Sequence, residues 1–459
     1  ASRSLAVVAG REAAERTWRR AGQRWGSGLT TGESAWQVDG QPPLTVSAQP
    51  LTVKGIPVDP NLRIMAVATL VNTFGNGALM TTFALFFTGV VGLRPTQVAL
   101  AISAGALAGL LVQVPAGHLA DLRGPRRVLQ TFTFGAGVAV LGLLFARSVW
   151  ALVAVMAVIS VFDRSAGAVR NGYIARLAEG GQAVQFKAYL RAMTNVGISF
   201  GALFGGLALW RGQTWAYLAV FALDAVTCIV TSIWIGRLPQ IAPAPAREAG
   251  ERRKAVLHDL PFVVITVLSG VASMHFVVIE LALPLWIALY TSAPKSLVAI
   301  TLMINTVCVA LLQVRLTRGI DLVGPSSRAM ARSGLWIAGG FALIAFASGQ
   351  PTWLAIAFLC AGTLVHVVGE MLGSGGQWGV QMGLAPRERQ GQYQGFAGMG
   401  FSFSHMVAPT LITLLCIDWG RPGWFVLGGV IALASALMVP ASAWALRSRE
   451  RYGVLTYSG

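Results

Sequence analysis

Long runs of apolar residues recur along the whole chain, and they constrain its fold more than any other feature. Many are close to the roughly 20 residues that an α-helix needs to cross a bilayer. Apolar residues make up 55% of the 459-residue chain, charged residues only 12%, and the mean hydropathy is +0.64. Because the runs are continuous, as at Ala101–Leu111, and do not alternate, a transmembrane barrel is disfavoured. The chain is predicted to be an all-α membrane protein.

Hydropathy and turn residues place twelve transmembrane helices on the chain. The predicted helices are 63–89, 96–119, 127–147, 150–171, 188–210, 215–236, 261–290, 297–316, 330–348, 352–375, 392–416 and 422–446. A polar, basic segment separates the sixth helix from the seventh. The predicted regions are therefore an N-terminal extension 1–60, a six-helix bundle 61–236, a linker 237–260, a second six-helix bundle 261–447 and a tail 448–459.

Positive charge is distributed unevenly between the two sides of these helices. Of the 35 Lys and Arg residues, 29 fall on the side that carries both termini and the linker, five on the other side, and Arg164 within a helix. Cytoplasmic loops carry an excess of Lys and Arg. We therefore expect a protein of the inner or plasma membrane with both termini in the cytoplasm. This distribution explains the net charge of +17 without a nucleic-acid partner.

The two halves contain an internal repeat. When the chain is shifted by 200 residues, seven of fifteen positions in 111–125 are identical to 311–325. Both segments share the pattern Asp-Leu-x-Gly-Pro, which begins at Asp121 and again at Asp321. A repeat of this kind predicts two parallel, pseudo-symmetric six-helix bundles. Parallel repeats place a substrate pathway between the halves near the bilayer midplane.

The loop after the second predicted helix combines small, acidic and basic residues. The glycines allow close backbone approach, the aspartate can face a helix N-terminus or an arginine, and the arginines hold the loop at the membrane surface. The pattern consists of Gly117, Asp121, Gly124, Arg126 and Arg127. It resembles the signature loop of the major facilitator superfamily, G-x-L-x-D-R-x-G-R-R. The resemblance covers about 62–447 and implies transport by rocking of the two bundles.

This loop departs from the family pattern at three positions, where it has Leu122, Arg123 and Pro125. In the second half Thr317 replaces the first glycine, and two serines that begin at Ser326 replace the arginines. Such degeneration of the second loop is usual in that family.

The fifth predicted helix carries a stripe of small residues. Glycines four positions apart lie on one face, where a second helix can pack closely. The segment reads Arg191-x3-Asn195-x-Gly197-x3-Gly201-Ala202-x2-Gly205-Gly206. It resembles the antiporter motif of drug:proton exporters, G-x3-G-P-x2-G-G, with Ala202 in place of proline. General helix packing is the alternative interpretation.

Ionisable residues within the predicted helices are candidates for proton coupling, because charges in a bilayer are costly and usually functional. Glu280 lies four residues before Pro284, which removes a backbone hydrogen bond and bends the helix. His366 and Glu370 lie one helical turn apart on one face. Structural hydrogen bonds that only order the bundle are the alternative for each of them.

A second group of candidates lies in the first half of the chain. Asp163 and Arg164 loosely resemble the R-x-x-Q-G motif of the fourth helix, which is implicated in proton transfer. Asn72 and Asn76 are one turn apart in the first helix and can face a central cavity or bond to a neighbouring helix. Trp286 of the seventh helix is a further cavity candidate.

The resemblance implies a secondary transporter that works by alternating access, and it is closest to proton-coupled exporters of lipophilic compounds or metabolites. A proton-coupled or uncoupled importer is the first alternative. A membrane-embedded enzyme or a non-transporting receptor is a distant one, since no H-E-x-x-H motif is present. No catalytic residue, cofactor or metal site is expected, and without a P-loop no ATP is expected.

Overall fold

The computed structural model describes residues 51–53, 55–178, 182–243 and 255–449. Within these residues, twelve helices are long and apolar enough to cross a membrane, and the predicted all-α membrane fold is confirmed. We label them α1 to α12: Pro60–Val90, Pro95–Arg123, Pro125–Leu144, Val149–Leu177, Ala183–Arg211, Thr214–Ile235, Leu260–Tyr290, Leu297–Leu316, Val323–Phe346, Thr352–Leu384, Arg387–Asp418 and Arg421–Arg447. We call the side that carries the linker and most basic residues the basic side, and the other the opposite side.

Local sequence signals begin and end these helices. Asp59 accepts a hydrogen bond from the backbone N–H of Asn61 (2.7 Å) at the start of α1, and Asp259 accepts one from that of Phe262 (3.2 Å) at the start of α7. Each satisfies an N–H that the first turn leaves free. Gly212, with φ of +65°, ends α5. Gly92, Gly349 and Gly420, also with positive φ, lie beside other helix ends on the opposite side. Every helix end on that side lies within three residues of its predicted position.

Six helix ends on the basic side extend four to nine residues beyond the predicted limits. The longest extension is that of α10, which ends at Leu384 and not at 375. Hydropathy marks where the apolar run stops, but a helix continues where packing stabilises it. Five of the six extended helices, α2, α4, α5, α10 and α11, contact the other half.

Part of the predicted N-terminal extension has regular structure. Strands β1 (Thr52–Val53) and β2 (Ile56–Pro57) form an antiparallel hairpin, and the Tyr189 hydroxyl of α5 donates to the carbonyl of Gly55 (3.0 Å). The hairpin lies within the predicted N-terminal extension 1–60, just before α1. Residues 1–50, 54, 179–181, 244–254 and 450–459 lie outside the described residues. They include most of the extension, most of the tail and part of the linker.

The hydrophobic core differs between the two ends of the molecule. On the opposite side, one cluster that includes Phe221 contains only residues of the first half, and another that includes Trp424 contains only residues of the second half. On the basic side, Met382 of the second half joins the cluster of the first half, and Val114 of α2 packs against the cluster of the second half. The two halves are thus packed together on the basic side.

Candidate functional site

The carboxylate of Asp121 joins the two halves on the basic side. Its oxygens accept hydrogen bonds from the backbone N–H groups of Gly391 and Gln392 of α11, each at 2.9 Å. The side chain is buried, with only 3% of Asp121 exposed. A carboxylate at the first turn of a helix is stabilised by free N–H groups and by the helix dipole. Asp121 therefore favours the arrangement in which the basic side is closed.

Glycines let α2 and α11 approach closely enough for this contact. A methyl group at Gly117 would overlap the carbonyl group of Gly391. Gly395 approaches the backbone of Gln113 in the same way, and the Gln113 amide donates to the Ser402 hydroxyl at 3.1 Å. Backbone contacts of this kind tolerate no side chain at these positions.

The remaining residues of the signature loop shape the boundary between α2 and α3. Gly124, with φ of +89°, is the single residue that separates the two helices. The Arg126 guanidinium donates to the carbonyl of Leu238 at 2.9 Å, which ties the start of the linker to the first half. Arg127 is exposed.

The equivalent loop of the second half also reaches across the molecule. The Asp321 carboxylate forms a hydrogen bond with the side chain of Gln185, in the first turn of α5. Burial raises the pKa of Asp321 to about 6, and the hydrogen bond with Gln185 acts in the other direction. One carboxylate oxygen has no partner among the described residues. The contact therefore holds the charged form of Asp321 only weakly.

A cluster of polar side chains around Glu370 forms a further contact between the halves, and we call it the central cluster. It consists of Arg191, Asn305, His366, Glu370 and Ser374. Arg191 of α5 forms an ion pair with Glu370 of α10 and a hydrogen bond with Ser374. The Asn305 amide of α8 donates to the other Glu370 oxygen at 2.7 Å. Because Glu370 is only 3% exposed, its charge depends on these partners.

Two histidines extend the central cluster towards α7. His366 Nδ1 lies 3.8 Å from a Glu370 oxygen, and the rings of His366 and His275 lie 5.1 Å apart at 62°. Phe341 stacks on His366 at 5.6 Å and 10°. The Arg191 guanidinium lies 5.0 Å from the centre of the Phe276 ring, and this cation–π contact stabilises its positive charge.

Glu280 lies in a π-helical turn, Val278–Ala282, shortly before Pro284. It is within electrostatic range of Glu370, and its exposed side chain makes no hydrogen bond or ion pair with another described residue. The two predicted proton-coupling carboxylates therefore have different surroundings: Glu370 is paired and Glu280 is free.

The predicted polar residues of the first half are arranged around α1, α4 and α6. Asp163 and Arg164 of α4 are both exposed. Asp163 interacts electrostatically with Asp224, a buried aspartate of α6. Asn72 accepts a hydrogen bond from the Cys228 thiol at 3.3 Å, and Asn76 is half-buried.

Glycines of α5 pack against α1. A methyl group at Gly197, Gly201 or Gly205 would overlap or crowd atoms of α1. Gly206, by contrast, has no neighbour within 4 Å of such a methyl group, and Asn195 is half-buried. The stripe therefore lies between α5 and α1, within the first half.

Trp286 does not line a cavity, which corrects its prediction as a cavity residue. Its side chain is fully buried within the core of the second half. The indole N–H donates to the carbonyl of Ile344 at 2.9 Å, and the ring stacks on Tyr290 at 4.6 Å. An indole buried with its N–H satisfied belongs to the packed core.

Sequence reasoning missed the partners of Glu370. Asn305 and Ser374 could not be predicted as site residues, because uncharged polar residues are frequent in membrane helices. Arg191 lies near the basic end of the fifth predicted helix, and a cation within a membrane helix requires an anionic partner. That rule could have linked Arg191 with one of the intramembrane carboxylates.

Comparisons with known proteins find the same architecture. A family model described as Major Facilitator Superfamily matches residues 65–376. A protein of Deinococcus radiodurans named "Putative sugar efflux transporter" is 31% identical over 169 residues, which cover 36% of this chain and 42% of that protein. The chain thus spans about two fifths of the length of this relative.

Two solved structures share the fold at low sequence identity. The human organic anion transporter MFSD10 (TETRAN) is 13% identical with a TM-score of 0.61, over 87% of this chain and 100% of that chain. A bacterial homologue of the iron transporter ferroportin, in an outward-facing state, is 16% identical with a TM-score of 0.67, over 85% and 100%.

Proposed function

The chain belongs to the major facilitator superfamily and is a transporter, and we propose that it exports a small molecule by proton-coupled alternating access. The observation that carries this proposal is the ion pair between Arg191 and Glu370, which links the two halves in a buried position. The Asp121 contact lies further towards the basic side. Together they close one side of a pathway between the halves.

These two contacts are polar, and close packing of α2 against α11 and the apolar contacts of Met382 and Val114 accompany them. A hydrogen bond to a charged group contributes about 1.5–3 kcal/mol. Differences of this size in substrate or proton affinity shift an equilibrium between two conformations. Opening of the basic side then requires that the Asp121 contact and the Arg191 ion pair separate.

Glu280 is the proposed proton-binding residue of this cycle. It lies within electrostatic range of Glu370 but has no cationic partner among the described residues. Protonation of Glu280 removes a negative charge close to the ion pair of Glu370 and Arg191. Proton binding thereby changes the balance between the two conformations, with Glu370 as the coupled charge and Asp163 as the alternative proton site in the first half.

Two features support export as the direction of transport. The α5 stripe resembles the antiporter motif of exporters, and the name of the Deinococcus radiodurans relative describes sugar efflux. The proposed substrate is therefore a lipophilic compound or a metabolite, and sugars are the first metabolites to test.

Transport by the purified full chain in proteoliposomes tests the proposal. We expect an imposed pH gradient to drive accumulation of a radiolabelled sugar or a fluorescent lipophilic cation. Glu280→Gln should abolish this accumulation and spare downhill exchange, because the carboxamide cannot bind the proton. The control is Asp418→Asn, which removes an exposed carboxylate at the opposite end of α11. Uphill transport by Glu280→Gln would contradict this assignment and point to Asp163 as the proton site. Transport by the unmodified protein that does not depend on the pH gradient would favour an uncoupled carrier.

We propose that the basic side faces the cytoplasm, from the 29 to 5 distribution of Lys and Arg. In a variant whose four native cysteines are replaced, Lys295→Cys should react with an impermeant maleimide in intact cells. Gln240→Cys should react only after permeabilisation, since both positions are exposed but lie on different sides. Labelling of Gln240→Cys in intact cells would reverse the orientation.

A further inference from the structure

Three potential metal ligands meet in the second half of the molecule. They are His275 of α7 with His366 and Glu370 of α10, and each is at most 4% exposed. One ligand atom from each lies within 4.8 Å of the others. We propose that these three side chains form a binding site for a divalent transition-metal cation, and that the cation competes with Arg191 for Glu370.

The unpaired imidazole nitrogens are the first argument for a cation. His275 Nδ1 and both ring nitrogens of His366 are buried and have no hydrogen-bond partner among the described residues. Buried polar atoms are nearly always paired, so unpaired ones call for an explanation. A neutral imidazole nitrogen offers a lone pair, and imidazole together with carboxylate suits Zn²⁺, Co²⁺ and related cations.

The surroundings hold the two rings in place. Phe341 stacks on His366, and Phe276 lies 4.1 Å from the His275 ring. Zn²⁺ binds nitrogen at about 2.0–2.1 Å and oxygen at about 2.0–2.2 Å. Tetrahedral ligands at such distances lie roughly 3.3 Å apart, so the three side chains must draw together when the cation binds. Three protein ligands leave a fourth position open, which suits an exchangeable cation.

Arg191 is the basis for the second part of the proposal, the competition, because it already pairs with the carboxylate that the cation would bind. One Glu370 oxygen is paired with Arg191 and the other accepts from Asn305. A divalent cation and a guanidinium that share one buried carboxylate repel each other strongly. Binding of the cation therefore weakens the ion pair between the halves, and Arg191 in turn weakens binding of the cation.

Zn²⁺ binding to the purified full chain in detergent, measured by isothermal titration calorimetry, tests this proposal without any transport assay. The protein is prepared without a polyhistidine tag. We expect one Zn²⁺ per chain and, with Co²⁺, a visible absorption band typical of nitrogen ligands. His275→Gln and His366→Gln should each lower the affinity about 100-fold, since even loss of an outer partner of a ligand costs 10–100-fold. His405→Gln is the matched control, because it removes another histidine of the same half and should leave the affinity unchanged.

Arg191→Gln keeps the test independent of misfolding, because the expected change is a gain. Removal of the competitor should raise Zn²⁺ affinity roughly 10-fold, in the range typical of coupled sites. Absence of saturable Zn²⁺ binding, or an equal loss in His405→Gln and His366→Gln, would overturn the three-residue site. Unchanged or weaker binding in Arg191→Gln would overturn the competition.

Discussion

Asp121 and Asp321 occupy equivalent positions of the internal repeat, and each meets the first turn of a helix in the other half. Asp121 accepts hydrogen bonds from two backbone N–H groups of α11. Among the described residues, Asp321 reaches α5 through the side chain of Gln185 and keeps one oxygen unpaired. The same sequence pattern therefore produces a strong contact in one half and a weak one in the other.

The residue one turn before each aspartate explains the difference. Gly117 lets the backbone of α2 approach Gly391 directly. At the equivalent position the second half has Thr317, a fully buried residue whose hydroxyl donates to the carbonyl of Gln313 at 2.9 Å. The Thr317 side chain lies beside Gly375 of α10 in its own half, and no glycine at this position brings α8 against α5. A glycine at this position thus lets the aspartate bond directly to the backbone of the facing helix.

The largest effect is expected from Asp121→Asn, which removes the charge and leaves one oxygen for two N–H donors. With about 1.5–3 kcal/mol for each hydrogen bond to a charged group, we expect the closed basic side to lose roughly 3 kcal/mol. Initial flux in proteoliposomes should then fall by about 100-fold at equal protein. Asp321→Asn is the matched variant, and an equal loss of flux in it would break the comparison.

Gly117→Ala should have an intermediate effect, because its methyl group overlaps the backbone of Gly391 and no side chain can move to relieve the overlap. Overpacking costs about 1–3 kcal/mol, so we expect flux to fall roughly 30-fold. The control is Gly167→Ala on α4, where a methyl group has no neighbour within 4 Å. Normal flux in Gly117→Ala would show that close approach is not what distinguishes the two loops.

Asp321→Asn should have the smallest effect, and it should depend on pH. The pKa of Asp321 is raised to about 6 in the folded protein from about 3.9 in an unfolded chain. The folded state therefore binds the proton more tightly, and its stability falls as pH rises between these values. Above about pH 6 the charged carboxylate lowers the free energy of unfolding by a constant amount. Because the side chain is partly exposed, this amount is less than about 1 kcal/mol.

The asparagine variant lacks this cost. Its thermal midpoint should therefore be slightly higher than that of the unmodified protein at about pH 7.5, and the difference should shrink at about pH 4.5. Thermal unfolding in detergent at both pH values measures this difference. A variant that is less stable at about pH 7.5 would contradict the weak contact assigned to Asp321.

Much of the fold could be predicted because the signals are local. The helix ends on the opposite side were predicted within three residues, since Gly, Pro and polar residues mark the end of each apolar run. Six ends on the basic side were predicted too short, as for α10, and five of these helices contact the other half, which stabilises helix beyond the apolar run. The hairpin at Thr52–Val53 and Ile56–Pro57 was missed for a related reason: contact with Tyr189 is not visible in its own sequence.

The candidate site could be predicted only in part. Asp121 and Glu370 were identified as single residues, the first by a loop pattern and the second by its charge within a span. Their partners lie far away in sequence, 270 positions for Gly391 and 179 for Arg191. Trp286 was wrongly predicted to line a cavity. The hydropathy of a span is the same whether an aromatic residue faces a cavity or the core, so the sequence does not distinguish the two.

Four features follow from hydropathy and charge along the chain alone: the number of spans, their approximate limits, the repeat of two halves and the side that carries the positive charge. This is possible because each helix in a bilayer forms its own backbone hydrogen bonds, so that the hydropathy of one segment is sufficient to locate a span. Only the tertiary structure decided that Asp121 meets the start of α11, that Arg191 pairs with Glu370 and that His275 joins His366. Such pairs depend on the rotation and tilt of whole helices, which packing between distant segments sets.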